Sequence, residues 1–141
     1  MRIVDVLRNK GNEVATVGPE ATVAIVVAEL ARRNVGALPV VEGGRLIGIV
    51  SERDVVRRLN DSGNALLATP VRDIMTTAIS TCTPRDAVTD LARTMTAGRF
   101  RHMPVLVGGE LVGIVSIGDL VKARIDELES EREQLQSYIA G

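Results

Sequence analysis

Gly48-Ile49-Val50-Ser51-Glu52-Arg53-Asp54 returns 65 residues later as Gly113-Ile114-Val115-Ser116-Ile117-Gly118-Asp119. The same shift carries Pro39-Val40 onto Pro104-Val105 and Gly43-Gly44 onto Gly108-Gly109. It also carries Val23 onto Val88 and Pro19 onto Pro84, with no gap between Pro19 and Arg57. Chance does not hold glycines, prolines and an acid in register over such a length. A repeat of this kind decides the architecture before local propensity does.

Each copy reads in the same order. A short β-prone run comes first, residues 14–17 and then 79–82, followed by a proline suited to opening a helix. Helices are expected over residues 22–34 and 86–98. Val23, Val26, Val27 and Leu30 mark the buried face of the first, and Val88, Leu91 and Met95 that of the second. Two apolar runs then flank Gly-Gly: residues 38–41 with 46–50, and 103–107 with 111–115. That is the signal of a β-hairpin. A further helix starts after Ser51 or Ser116. The fold class is therefore α/β in the broad sense (α+β): two tandem β-α-β-β-α repeats plus a C-terminal helix. One copy alone is too small to cover both faces of its sheet, so the two are expected to pack sheet to sheet. The expected division is a first repeat over residues 1–60, a linker over 61–70, a second repeat over 71–124 and a C-terminal helix over 125–141. The opening residues, with Val4 and Val6-Leu7, resemble Val71-Arg72-Asp73-Ile74-Met75 and are read as a lead-in to each copy.

Gly36-Ala37-Leu38-Pro39-Val40-Val41, Arg101-His102-Met103-Pro104-Val105 and the two Gly-Ile-Val-Ser runs resemble the signature of cystathionine-β-synthase-type (CBS) domains over about residues 1–124. The chain is most similar to small stand-alone bacterial CBS pairs that end in one extra helix. The resemblance implies a homodimer that binds an adenosine compound in two clefts between the repeats. AMP is the first candidate; ADP, ATP, NAD(H) and S-adenosylmethionine are the others. One cleft is then expected to combine Lys10, Gly11, Val14, Ala15, Gly36, Ala37 and Pro39 with Ser116, Gly118 and Asp119. The other is expected to combine Ile79, Ser80, Arg101, His102, Met103 and Pro104 with Ser51, Arg53 and Asp54. Backbone groups near Val14 or Ile79 would read the adenine edge, and the Asp of each Ser-x-x-Asp would grip the ribose.

The residues themselves allow plainer readings. Ser51-x-x-Asp54 and Ser116-x-x-Asp119 have the spacing of a capping box, in which Ser and the acid satisfy each other's backbone N–H. A helix N-terminus built this way also suits a polar ligand. Arg101-His102 stand where the first copy has Gly36-Ala37, and with Arg99 they cluster just before a strand. They form either a solvated basic turn or a phosphate-facing edge able to reach either cleft. Glu52 stands where the second copy has Ile117, so the clefts are expected to be unequal. Gly43-Gly44 and Gly108-Gly109 lack phosphate-loop spacing and are hairpin turns. Cys82 has no acid or base marked beside it and reads as an inert core thiol.

Composition narrows the function classes. The formal net charge is −1, so the field of a nucleic-acid or membrane binder is not indicated. Phe100 and Tyr138 are the whole aromatic complement, so a bound ring is expected between aliphatic side chains. A single cysteine excludes an intrachain disulfide, and one histidine leaves no His-based metal cluster. No nucleophile–base pair stands out, so no catalytic residue is assigned and an enzyme is not expected. The opening residues lack a signal peptide's apolar stretch, and a cytoplasmic location is expected. Val121, Ile125, Leu128, Leu135 and Ile139 recur at three- and four-residue steps in the tail. That tail is either a helix lying on its own domain or one that joins a dimer or partner. The expectation is a regulatory nucleotide sensor acting in trans on another protein. The alternative is a dimeric interaction scaffold with vestigial pockets that works through the terminal helix.

Overall fold

A computed structural model describes residues 1–11 and 13–140; Asn12, and Gly141 at the end of the expected terminal helix, lie outside the described residues. Along the chain come α1 (Ile3–Lys10), α2 (Val23–Arg33), β1 (Ala37–Glu42), β2 (Arg45–Ser51) and α3 (Glu52–Ser62). Two short 3-10 turns follow, Gly63–Ala68 and Val71–Asp73. Then come α4 (Val88–Gly98), β3 (His102–Val107), β4 (Glu110–Ser116) and α5 (Ile117–Ala140).

β1 pairs antiparallel with β2, and β3 with β4. Both turns place two consecutive glycines at positive φ: Gly43 and Gly44 at 58° and 78°, Gly108 and Gly109 at 57° and 85°. This is the hairpin geometry that matches strand twist, and it excludes most other residues. Each hairpin shifts register once, between Val40 and Val41 and between Val105 and Leu106. The β-prone runs ahead of the helices do not become strands of any length. Each contributes one parallel bridge: Val17 to Val40, and Cys82 to Val105. Val17 donates to Pro39 O at 3.1 Å and Cys82 to Pro104 O at 3.0 Å.

Pro19 and Pro84 do not open the helices either. α2 begins at Val23, capped by the Thr22 hydroxyl, which accepts from Ile25 N. Val23, Val26 and Leu30 are buried, as expected, but Val27 is 39% exposed. At 100° per residue Val27 sits beside the stripe made by the other three rather than within it. On α4, Val88, Leu91 and Met95 are all buried.

The buried side chains form two clusters, and each draws its lead-in from an unexpected place. Val71 and Ile74 pack with Val17, Val26, Val40 and Val50 of the first copy. Ile3 and Val6 pack with Cys82, Val88, Val105 and Val115 of the second. The backbone contacts repeat in step. Val71 N donates to Ala21 O at 2.8 Å, and Ile3 N donates to Asp86 O at 2.9 Å. Each lead-in thus completes the copy that it does not precede. Leu66, in the expected linker, is buried in the first cluster. The expected terminal helix is continuous with the second copy's last helix, giving one element of 24 residues, about 36 Å long.

The close approach of each lead-in explains two glycines. A Cβ on Gly48 would lie 2.5 Å from Met75 Sδ and 3.2 Å from Thr76 O; on Gly113 it would lie 2.6 Å from Leu7 Cδ2. Overpacking of this kind costs about 1–3 kcal/mol. Gly48→Ala is expected to lower the urea midpoint more than Gly113→Ala, because a leucine tip can rotate and the Thr76 backbone cannot. Equal losses would contradict the argument.

Candidate functional site

Ser51 ends β2 and caps α3. Its Oγ accepts the N–H of Asp54 at 3.3 Å, and Asp54 Oδ2 accepts the N–H of Ser51 at 2.9 Å. Ser116 and Asp119 repeat this at the start of α5, at 3.1 and 2.8 Å. The capping box is therefore formed in both copies. In each, the first helical N–H is taken by a residue just before the paired strand: Glu52 N donates to Gly36 O at 3.0 Å, and Ile117 N to Arg101 O at 2.8 Å.

Around Asp54 lies a cleft of about 390 Å³ that draws on both copies, within the size range of small-molecule sites. The first copy contributes Gly36, Ile49, Ser51, Glu52, Arg53, Asp54 and Arg57, and the segment after it Thr76, Ala78, Ile79 and Ser80. The second contributes residues 98–102, including Arg99, Phe100, Arg101 and His102. A direct bond crosses from one copy to the other, Arg53 Nη1 to Arg99 O at 3.0 Å. Four arginines and two carboxylates thus face one space. Thr76 Oγ1 donates to Asp54 Oδ1 at 3.4 Å, leaving that carboxylate at the cleft edge with no cation bound to it among the described residues.

Of the residues expected in this cleft, Ser51, Arg53, Asp54, Ile79, Ser80, Arg101 and His102 line it. Met103 and Pro104 are buried in β3 and do not. Gly36, assigned to the other cleft, lines this one. The space is needed by a neighbour: a Cβ there would meet the His102 imidazole at 3.0 Å. Arg57, Thr76 and Phe100 were not anticipated. The Arg53/Arg57 spacing on one helical face was a usable signal, whereas nothing local marked Thr76. Phe100 means that the wall is not purely aliphatic. Arg99 holds a left-handed conformation at φ 57° in the place where the first copy has Asn34 at 53°, a geometry that costs a side chain other than Gly or Asn about 1 kcal/mol.

The surroundings of Asp119 differ. Lys10 Nζ donates to Asp119 Oδ2 and to Ile114 O, each at 2.8 Å. Ser116 joins through the cap, and Gly118 adjoins it. Ala37 and Pro39 are buried in β1, Ala15 packs against the first core, Val14 is half-buried, and Gly11 is exposed. Burial alone would raise the Asp119 carboxyl, but the Lys10 and Ser116 contacts together outweigh it and hold its pKa below the ordinary carboxylate value. Cys82 is buried, and desolvation pushes its thiol up to about 12. No group of three His, Cys, Asp or Glu is placed to hold a metal ion among the described residues. Nor is any described helix long and apolar enough to cross a membrane.

Three comparisons bear on this arrangement. The sequence profile of the CBS domain matches residues 5–61 and 71–126. A mitochondrial CBS domain-containing protein of Arabidopsis thaliana is 37% identical, covering 99% of this chain and 72% of its own length. The crystal structure of a CBS-domain protein from Agrobacterium tumefaciens superposes with a TM-score of 0.85 at 39% identity, over 88% of this chain and 99% of that one. More distantly, the fold is shared with a CBS domain pair solved in complex with 5′-methylthioadenosine and S-adenosyl-L-methionine. That pair is 21% identical, with a TM-score of 0.73 over 90% of this chain and 98% of that one.

His102 is half-buried among Lys10, Glu52, Asp119 and Arg101. Desolvation first, then Lys10 and Arg101, lower its pKa against the opposing pull of Glu52 and Asp119. Its folded pKa thus lies below the unfolded one, so the unfolded chain binds the extra proton more readily. Stability must fall as pH drops from above about 6.5, and the loss levels off below the folded pKa. Chemical denaturation at pH 7.5 and 5.5 should show a lower midpoint at 5.5. The drop should shrink in His102→Asn, and an undiminished drop would remove His102 as its source.

Proposed function

The chain belongs to the CBS-domain family as a tandem pair, and from this we propose that it is a regulatory module that binds a phosphorylated adenosine nucleotide in the Asp54 cleft. The convergence of Arg53, Arg57, Arg99, Arg101 and His102 on the same cleft as the ribose-type acceptor Asp54 carries the reading. Guanidinium groups pair with phosphate oxygens in two-point fashion, and a carboxylate accepts from a ribose diol. AMP remains the first candidate, with ADP, ATP and NAD(H) behind it. S-adenosylmethionine is disfavoured in this cleft, because its sulfonium would meet the four arginines. That the fold accommodates adenosine compounds is illustrated by the distant pair crystallised with two of them. The half-buried Ile49 and Ile79 supply apolar wall for the base.

Regulation follows from the cleft having walls from both copies. A ligand that engages Arg101 on one side and Asp54 on the other favours one relative placement of the halves. It shifts the equilibrium only by its differential affinity for the two placements. The Arg53–Arg99 bond across the cleft is the contact such a ligand would strengthen or replace. The output is an altered surface offered to a separate protein. The expected homodimer and the cytoplasmic setting belong to this same proposal.

A second reading is favoured by one observation. Leu135, Tyr138 and Ile139 near the end of α5 are 63%, 84% and 82% exposed. A scaffold that engages its partner through this helix would tolerate an empty cleft. It would lose its partner on truncation before Leu135.

The deciding experiment is thermal unfolding with AMP, ADP, ATP, NAD⁺ and S-adenosylmethionine. A ligand at about 100 times its Kd adds about 2.7 kcal/mol of stability, a shift of several degrees for a domain of this size. Asp54→Ala removes a charge-assisted bond worth about 1.5–3 kcal/mol, roughly a ten- to hundred-fold loss of affinity. Arg101→Ala is expected to weaken every phosphorylated ligand. No shift with any of the five would sink the nucleotide reading and leave the scaffold.

A further inference from the structure

The two copies solve one local problem by different means. In the first, the chain leaves its 3-10 turn after Asp73 and runs extended past Ile49. Thr76 N then donates to Ile49 O at 2.8 Å, and Thr76 Oγ1 reaches Asp54 Oδ1 at 3.4 Å. In the second, the corresponding lead-in stays helical from Ile3 to Lys10. No backbone N–H of that helix bonds to Ile114 O, the counterpart of Ile49 O, among the described residues. The Lys10 ammonium takes over both tasks, bonding Ile114 O and Asp119 Oδ2 at 2.8 Å each. A neutral amide and hydroxyl in one copy are thus replaced by a full cation in the other.

The consequence for a ligand is large. The acceptor that a ribose diol would need at Asp119 already holds an ion pair, and its side chain is only 27% exposed. Asp54 is held only by neutral groups: the Ser51 N–H at 2.9 Å, the Ser51 hydroxyl at 3.1 Å and the Thr76 hydroxyl at 3.4 Å. We infer that Lys10 is an internal occupant that keeps the Asp119 cleft closed to nucleotide, so that the chain binds one nucleotide where its repeat would allow two. The inference rests on the nucleotide reading of the clefts and goes beyond it, because it assigns Lys10 the choice between them. The depressed pKa of Asp119 agrees with a persistently engaged carboxylate. His102 adds no competing charge when neutral, and the groups facing it are Lys10, Glu52, Asp119 and Arg101.

The test titrates the ¹⁵N-labelled full chain with AMP and follows the amides of Ser116 and Gly118 at one cleft and of Ser51 and Arg53 at the other. Calorimetry of the same samples counts the sites. In the wild type, the Ser51 and Arg53 signals are expected to move and the other pair to stay still, with one AMP per chain. Lys10→Met is expected to bring Ser116 and Gly118 into motion and raise the count to two, with at least a tenfold gain in affinity at that cleft. Lys10→Ala should do the same, which guards against methionine filling the space. The inference is overturned if Ser116 and Gly118 respond in the wild type as strongly as in the variants. It is equally overturned if they stay still once Lys10 is gone, or respond more weakly than in the wild type, which would make Lys10 a phosphate contact. A silent Ser51 and Arg53 with a responsive Ser116 and Gly118 in the variants would support the role of Lys10 while removing the Asp54 cleft as the native site.

Discussion

The packing of each lead-in against the opposite copy is the contact on which the other features depend. Ile3 and Val6 on one side, Val71 and Ile74 on the other, supply buried aliphatic surface that neither hairpin-and-helix unit has by itself. A fully buried Val or Ile stabilises by roughly 1.5–3 kcal/mol, so two such residues per core matter greatly in units this small. The same approach demands glycine at positions 48 and 113. It also brings Thr76 to the edge of the Asp54 cleft and Lys10 onto Asp119. Removing either lead-in would therefore open a core and dismantle a cleft wall together.

From that shared frame the copies diverge in side chains while their backbones stay in step. Both form the capping box, both offer a carbonyl to the first helical N–H, and both place an aspartate on the first turn. What differs is the charge around the aspartate: arginines and a half-buried histidine near Asp54, a bonded lysine at Asp119. The 65-residue repeat explains why the aspartates match. Electrostatics explains why they need not do the same work, since a carboxylate already paired with an ammonium offers little to a neutral hydroxyl. Gly36 belongs to the same divergence, since its missing side chain makes room for the imidazole of the other copy.

Much of this was legible in the order of residues. The Gly-Gly pairs announced the hairpins because two consecutive positive φ values leave little choice of residue. Ser-x-x-Asp announced the caps because the spacing itself makes the bonds. The helical stripes of Val23, Val26 and Leu30 and of Val88, Leu91 and Met95 followed from periodicity alone. Other features could not be read. A run such as residues 14–17 has strand propensity, but its length as a strand depends on how far a partner extends beside it, and the partner allowed a single bridge. Nothing in the period of a segment says which copy it packs against, so periodicity did not show the exchange of lead-ins; only the resemblance, by setting Lys10 with Asp119, pointed toward it. The site suffered most from this. Ser51, Asp54, Arg101 and His102 stood out by type and position, whereas Thr76 and Phe100 enter the cleft only through the tertiary path. The resemblance had set Lys10 in one cleft with Asp119, but not the bond between them, which forms because α1 continues as a helix where its counterpart stops.

The exchange also sets an order of events on the ribosome. The first core is built from one uninterrupted stretch, from Ala15 to Met75, and can close as soon as that stretch has emerged. The second needs Ile3 and Val6, which are made before the first copy, together with Leu120 and Ala123, which are made after the second hairpin. The segment that carries Ile3 and Val6 must therefore wait for its partners until the second copy has been made. Contacts so distant along the chain close slowly, since loop entropy is lost before any contact rewards it. Newborn chains thus pass through a half-formed stage with one finished core and one exposed apolar strip, the stage at which a chaperone or a neighbouring chain has its opportunity.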